Sequence, residues 1–166
     1  MTQENASEID EGTYEAINGF VEQFRNGGVA GQLLDITEEE CEALYALGYS
    51  LYQQQRYNDA FKAFSLLVIY DHLEPRYQMA LGASAQALGR FEDALRQYAV
   101  VAVMRIDDPT PLFHSAECLI AMGHTAQAVE SLELAIEMAE AKGNEALLAK
   151  SRAIREKLLS VGKSQA

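Results

Sequence analysis

The sequence predicts an all-α fold, a superhelix of three helix-turn-helix repeats with a flanking helix at each end. Three observations lead there. Residue types recur at a spacing of 34, the composition favours helices throughout, and glycine and proline stand where helices must end and begin. Ala, Leu, Glu and Gln are abundant, all good helix formers, and the 166 residues include only three prolines and no tryptophan. With 49% hydrophobic residues the chain can build a real core.

The repeat is visible in columns. Ala60, Ala94 and Ala128 are 34 apart, and four residues after each come Phe64, Tyr98 and Leu132. Twelve residues before each alanine stand Gly48, Gly82 and Ala116; five before stand Gln55, Gly89 and Gly123; three before stand Tyr57, Phe91 and Thr125. Small residues and aromatics in fixed columns at this period are the tetratricopeptide signature. The small residues belong where the two helices of a repeat, A and B, approach closely, and the aromatics at 64 and 98 fill the space beside them. Gly89 and Gly123 suit the left-handed residue that ends helix A. Gln55 departs from that pattern, and Thr125 and Leu132 make the third repeat the weakest match.

The chain divides accordingly. An acidic N-terminus covers 1–12 and an N-terminal helical segment covers 13–40. Repeats follow at 41–74, 75–108 and 109–142, and a capping helix and tail at 143–166. Thr37 to Glu40 reads as a capping box. Pro75 and Pro109 each open a new A helix, where proline is tolerated. Ile17, Phe20, Val21 and Phe24 make an apolar stripe at helical spacing, which packs on repeat one or serves as a dimer interface. Gly143-Asn144 breaks the chain, with Asn144 capping a last helix at about 145–160 whose stripe is Leu147, Leu148, Ile154 and Leu158.

Charge and composition exclude several functions. The net charge of −12 argues against nucleic acid, whose binders are usually basic, and fits a basic partner. The chain has no apolar run long enough to span a bilayer, and its polar, acidic start is unlike a signal peptide, so a cytosolic protein is expected. Cys41 and Cys118 are far apart and predict no disulfide framework. His114 and Cys118 share an i, i+4 face, but two ligands without a further Cys/His cluster do not make a metal site; no cofactor is expected. With no phosphate loop, dinucleotide motif or nucleophile elbow, an enzyme is not expected.

Binding residues emerge once the packing stripe is subtracted. In the first A helix Leu44, Leu47, Gly48 and Leu51 form that stripe. Tyr45, Tyr49 and Tyr52 form a second one, rotated by about 100°, on the side that lines the concave surface of a superhelix. The same columns hold Met79, Ala83 and Gln86 in repeat two, and Phe113, Glu117 and Ile120 in repeat three, with His114 beside them. The expected wall is aromatic and apolar with a few polar points. Domains that clamp a C-terminal carboxylate need Lys, Arg and Asn here. The equivalent positions hold Tyr45 and Tyr49, with Arg76 as the nearby base, so the expected ligand is an extended peptide with apolar anchors. A scaffold joining folded proteins through its convex or N-terminal surface is the alternative.

Three runs carry a family resemblance: LYALGYSLYQQQRYNDAFKAFSLLVIYDH (44–72), RYQMALGASAQALGRFEDALRQY (76–98) and PLFHSAECLIAMG (111–123). With the N-terminal helix and Gly27-Gly28, they resemble the class II chaperones of bacterial type III secretion, the tetratricopeptide chaperones of translocator proteins. The resemblance covers about residues 13–142. It implies a bacterial cytoplasmic protein, a homodimer through its N-terminal region, that holds hydrophobic translocator subunits before export. It also implies that a translocator segment of P-x-L-x-x-P type lies extended in the groove against Tyr45, Tyr49, Tyr52, Phe113 and His114.

Overall fold

The computed structural model describes residues 28–164 without interruption, and before them Gly12, Glu15, Asn18, Gly19, Val21, Glu22, Arg25 and Asn26. Of the proposed dimer stripe, Ile17, Phe20 and Phe24 lie outside the described residues, and Val21 is 40% exposed.

A one-turn helix, α1 (Ala30–Leu33), precedes the array. Three antiparallel pairs follow: α2 (Glu38–Gln53) with α3 (Tyr57–Tyr70), α4 (Pro75–Ala87) with α5 (Phe91–Met104), and α6 (Thr110–Ala121) with α7 (Thr125–Lys142). The chain closes with α8 (Glu145–Ser164). From α2 onward each helix packs on the next along the chain, and α1 packs on α3.

The sequence signals act where chemistry requires. Thr37 Oγ1 accepts from the Glu40 N–H (3.2 Å) and Glu40 Oε2 accepts from the Thr37 N–H (2.9 Å), a complete capping box that starts α2. Pro75 occupies the first turn of α4, where the missing N–H costs no helical bond. Asn144 Oδ1 accepts from the Leu147 N–H (3.1 Å) and caps α8. Gly89 and Gly123 adopt φ of 73° and 79°, the left-handed turn between A and B helices. Gln55 takes the same turn at φ 61° without the freedom of glycine.

The helix pairs meet through the small-residue columns. Ala60, Ala94 and Ala128 are completely buried. A Cβ on Gly48 would come within 2.7 Å of the Phe64 ring, and one on Gly82 within 2.7 Å of the Tyr98 ring. Phe64 and Tyr98 are themselves buried at 2% and 0% exposure, so each ring fills the space left by the glycine across from it. α8 covers repeat three, with Leu147, Ile154 and Leu158 packed against Phe113, Ala116, Leu132 and Ala135. Arg152 pairs with Glu140 across α8 and α7, and Lys142 pairs with Asp107.

Leu47 is a correction. It was expected in the packing stripe and is 53% exposed. Its equivalent one repeat later, Leu81, is buried against repeat one. Leu47 belongs to the first repeat, and among the described residues no earlier repeat stands in the corresponding place.

Candidate functional site

The A helices α2, α4 and α6 present two adjoining depressions that share Tyr52 and Ala83. The first, about 320 Å³, lies between α2 and α4, and Tyr45, Tyr49, Tyr52, Met79 and Ala83 form its wall. The second, about 440 Å³, lies between α4 and α6 and is lined by Tyr52, Ala83, Gln86, His114 and Glu117 with Phe91 and Tyr98. Eight of the ten wall residues expected from sequence are thus brought together.

Phe113 and Ile120 are not among them. Phe113 is 7% exposed and belongs to the core of repeat three. It shares a column with the half-buried Tyr45 and Met79, a column at the border between packing and groove. In repeat three the side chains of α8 close that border. Ile120 is half-buried and lines neither depression.

The first depression is aromatic and rigid. Tyr45 packs on Phe64 (centroids 5.6 Å apart) and on Tyr77 (5.8 Å), and Tyr52 meets Tyr57 edge-on at 5.1 Å. These contacts fix Tyr45 and Tyr52 in half-buried positions, whereas Tyr49 is 55% exposed and its ring is free for a ligand. Burial raises the Tyr52 hydroxyl above its ordinary range and pushes Tyr77 up to about 12.

Two bases border this depression, not the single one expected. Arg76 was foreseen; Arg105 arrives from the turn after α5, which no A-helix column would reveal. Arg76 is engaged within the protein. Its Nη2 donates to Glu42 (2.6 Å), its Nε faces Glu74 at 3.3 Å, and its guanidinium lies over the Tyr45 ring at 5.4 Å. Arg105 faces Asp108 at 3.7 Å.

The second depression carries the polar points. The Tyr98 hydroxyl donates to Gln86 Oε1 (2.8 Å), Gln86 Nε2 donates to Glu117 Oε2 (3.1 Å), and His114 Nδ1 donates to the same oxygen (2.8 Å). The His114 ring stacks on Tyr98 at 5.5 Å. The His114 bond, with that from Gln86, holds the Glu117 carboxyl below its usual range against the opposing effect of burial. Cys118, one residue on, is fully buried with Ala85, Ala94 and Tyr98, and burial pushes its thiol up to about 11. His114 on the wall and Cys118 in the core therefore serve different surroundings.

Sequence reasoning missed Phe64 and Tyr98 as lining residues because it assigned their column wholly to packing between helices, and it missed Phe91 because it gave that column no role beyond the repeat pattern. Tyr98 does both jobs, with its ring against Gly82 and its hydroxyl toward the groove.

Comparison with known proteins agrees with this geometry. A tetratricopeptide-repeat family model matches residues 41–73. Low calcium response locus protein H of Yersinia pestis is 39% identical over 114 residues, 69% of this chain and 68% of that protein. PcrH of Pseudomonas aeruginosa, solved in complex with the chaperone binding region of PopD, superposes with a TM-score of 0.72 at 38% identity, covering 76% of this chain and 96% of PcrH. The type III secretion chaperone SycD of Yersinia enterocolitica, solved with a peptide of the translocator YopD and also described as a dimer, gives a TM-score of 0.71 at 35% identity, covering 76% of this chain and 98% of SycD. With these identities and coverages, the chain belongs to the class II, tetratricopeptide-repeat family of type III secretion translocator chaperones.

Proposed function

We propose that this protein is a cytoplasmic chaperone that holds an extended, apolar segment of a translocator subunit in the groove of α2, α4 and α6 until export. The observation that carries the reading is the aromatic depression of Tyr45, Tyr49, Tyr52, Met79 and Ala83. PcrH and SycD, solved with segments of PopD and YopD, support it. Tyrosines suit the task because they give large contact area with few rotatable bonds and can bond a peptide backbone. The action is binding, not catalysis. It keeps apolar segments from premature association, and competition at the export apparatus is enough for release. The described residues contain no helix long and apolar enough to cross a membrane, which fits a cytoplasmic site of action.

The test is Tyr49→Ala, chosen because Tyr49 is exposed and its loss leaves the packing of Tyr45 and Tyr52 alone. Titrating a labelled P-x-L-x-x-P peptide by fluorescence polarisation should show binding weakened about tenfold or more, as for an aromatic anchor, with helicity by circular dichroism unchanged. Unchanged affinity would mean that the peptide binds elsewhere.

A homodimer through Ile17, Phe20, Val21 and Phe24 is part of the proposal, and the dimer described for SycD supports it. Removing residues 1–28 should leave a monomer in solution; a truncated protein that keeps its oligomeric state places the interface elsewhere.

One observation favours a second reading, a scaffold for folded partners. Leu66, Val100 and Leu134 stand at the same position of the three B helices and are 38%, 41% and 52% exposed. This apolar ladder lines neither depression of the groove.

A further inference from the structure

The two depressions of the groove differ in charge, and the difference is built in. Glu117 is the one carboxylate among the described residues that line them. It is held rather than mobile. Tyr98, completely buried, fixes the Gln86 amide through its hydroxyl, and Gln86 and His114 then hold the carboxylate. Both bonds fall on Oε2, which leaves Oε1 as an acceptor at the wall of the second depression. The groups around it favour the ionised form: His114 and Gln86 by direct bonds, and Lys150 of α8 at longer range. On the other side of Ala83, Arg76 is engaged with Glu42 and Glu74, and Arg105 faces Asp108 at 3.7 Å, so both bases of the first depression already face carboxylates of the protein.

We propose that Glu117 is the specificity-determining residue of the groove: its free oxygen receives the cationic side chain, Lys or Arg, of a bound segment whose apolar anchor sits in the tyrosine-lined depression. The proposal rests on the groove reading and adds the charge and spacing of its ligand. The two depressions adjoin at Tyr52 and Ala83, so the step from one to the next is about one helix width, roughly 10 Å, and an extended chain advances about 3.3 Å per residue. Anchor and base are therefore about three residues apart. A charge-assisted bond to a half-buried, pre-positioned carboxylate is stronger than a neutral one, and misplaced like charge is rejected.

The test uses full-length protein and three peptides of one apolar, extended sequence that differ only at the residue about three from the anchor: Lys, Gln or Glu. Polarisation titrations are run on the wild type, Glu117→Gln and Glu117→Lys. The expected result is that the wild type prefers the Lys peptide to the Glu peptide by about tenfold or more, that Glu117→Gln loses the preference, and that Glu117→Lys reverses it. Added salt should shrink the wild-type preference. Equal binding of the three peptides by the wild type, or the same preference in Glu117→Gln, overturns the charge assignment while the groove reading stands. Failure of even the Gln peptide to bind the folded wild type overturns the groove reading and this proposal together. The wild-type series needs no variant to fold.

Discussion

Replacing Gly82 by alanine tests the packing that holds the groove in shape. In most helix interiors this change is stabilising, by about 1 kcal/mol, because glycine loses more backbone freedom than alanine. Here the new Cβ would lie 2.7 Å from Tyr98 Cε1, 3.0 Å from Cδ1 and 3.2 Å from Gln97 Cβ. The obstacle is a completely buried ring, with a hydroxyl committed to Gln86, and not a flexible side-chain end. Overpacking of this kind costs about 1–3 kcal/mol. Set against the propensity gain, the net effect is a destabilisation of up to about 2 kcal/mol, or a melting temperature lower by up to about 8 °C for a chain of this size. The control is Gly19→Ala, a helical position where the added Cβ meets nothing within 4 Å. Urea and thermal unfolding followed by circular dichroism should move the two variants in opposite directions. If Gly82→Ala is as stabilising as Gly19→Ala, the close approach of α4 and α5 at Tyr98 is wrong.

Two further outcomes follow from local structure. Gln55→Gly should stabilise by up to about 1 kcal/mol, because the left-handed region costs a residue with a Cβ about 1–2 kcal/mol while glycine gives back part of this as backbone entropy; the urea midpoint should rise, and a fall would show that Gln55 makes compensating contacts. The Cys118 thiol, raised from 9.0 to about 11 by burial, should react with a maleimide at pH 8 at least about 100-fold more slowly in the native protein than in denaturant. Because its folded pKa lies above its unfolded one, its contribution to stability is present below about pH 9 and is lost as pH rises through about 11. Rapid native labelling, or stability that climbs between pH 9 and 11, would contradict its burial.

Much of this was legible in the sequence because a repeat states its rules three times. The glycine and alanine columns show close approach at Gly48 and Gly82, and the structure has it there. The rotation from Leu44 and Gly48 to Tyr45, Tyr49 and Tyr52 separates packing from groove within one helix. The column logic fails at the ends and edges. Leu47 and Leu81 have the same residue type and register, but among the described residues only Leu81 has a repeat before it. Phe113 shares the column of Tyr45, but α8 lies over repeat three. Arg105 was hidden because it reaches the groove from a turn. The Tyr98–Gln86–Glu117 chain was hidden because its members are distant in sequence and joined only by side-chain geometry.

Site-specific photocrosslinking reports which face of the protein the translocator segment occupies. A benzophenone amino acid is placed at Tyr49, in the groove, or at Val103, 78% exposed on a B helix, and the protein is co-expressed with its cognate translocator. The expected result is a crosslink to the translocator's extended segment from position 49, lost when excess P-x-L-x-x-P peptide is added, and none to that segment from position 103. A crosslink to that segment from 103 but not from 49 would contradict it and favour the scaffold reading.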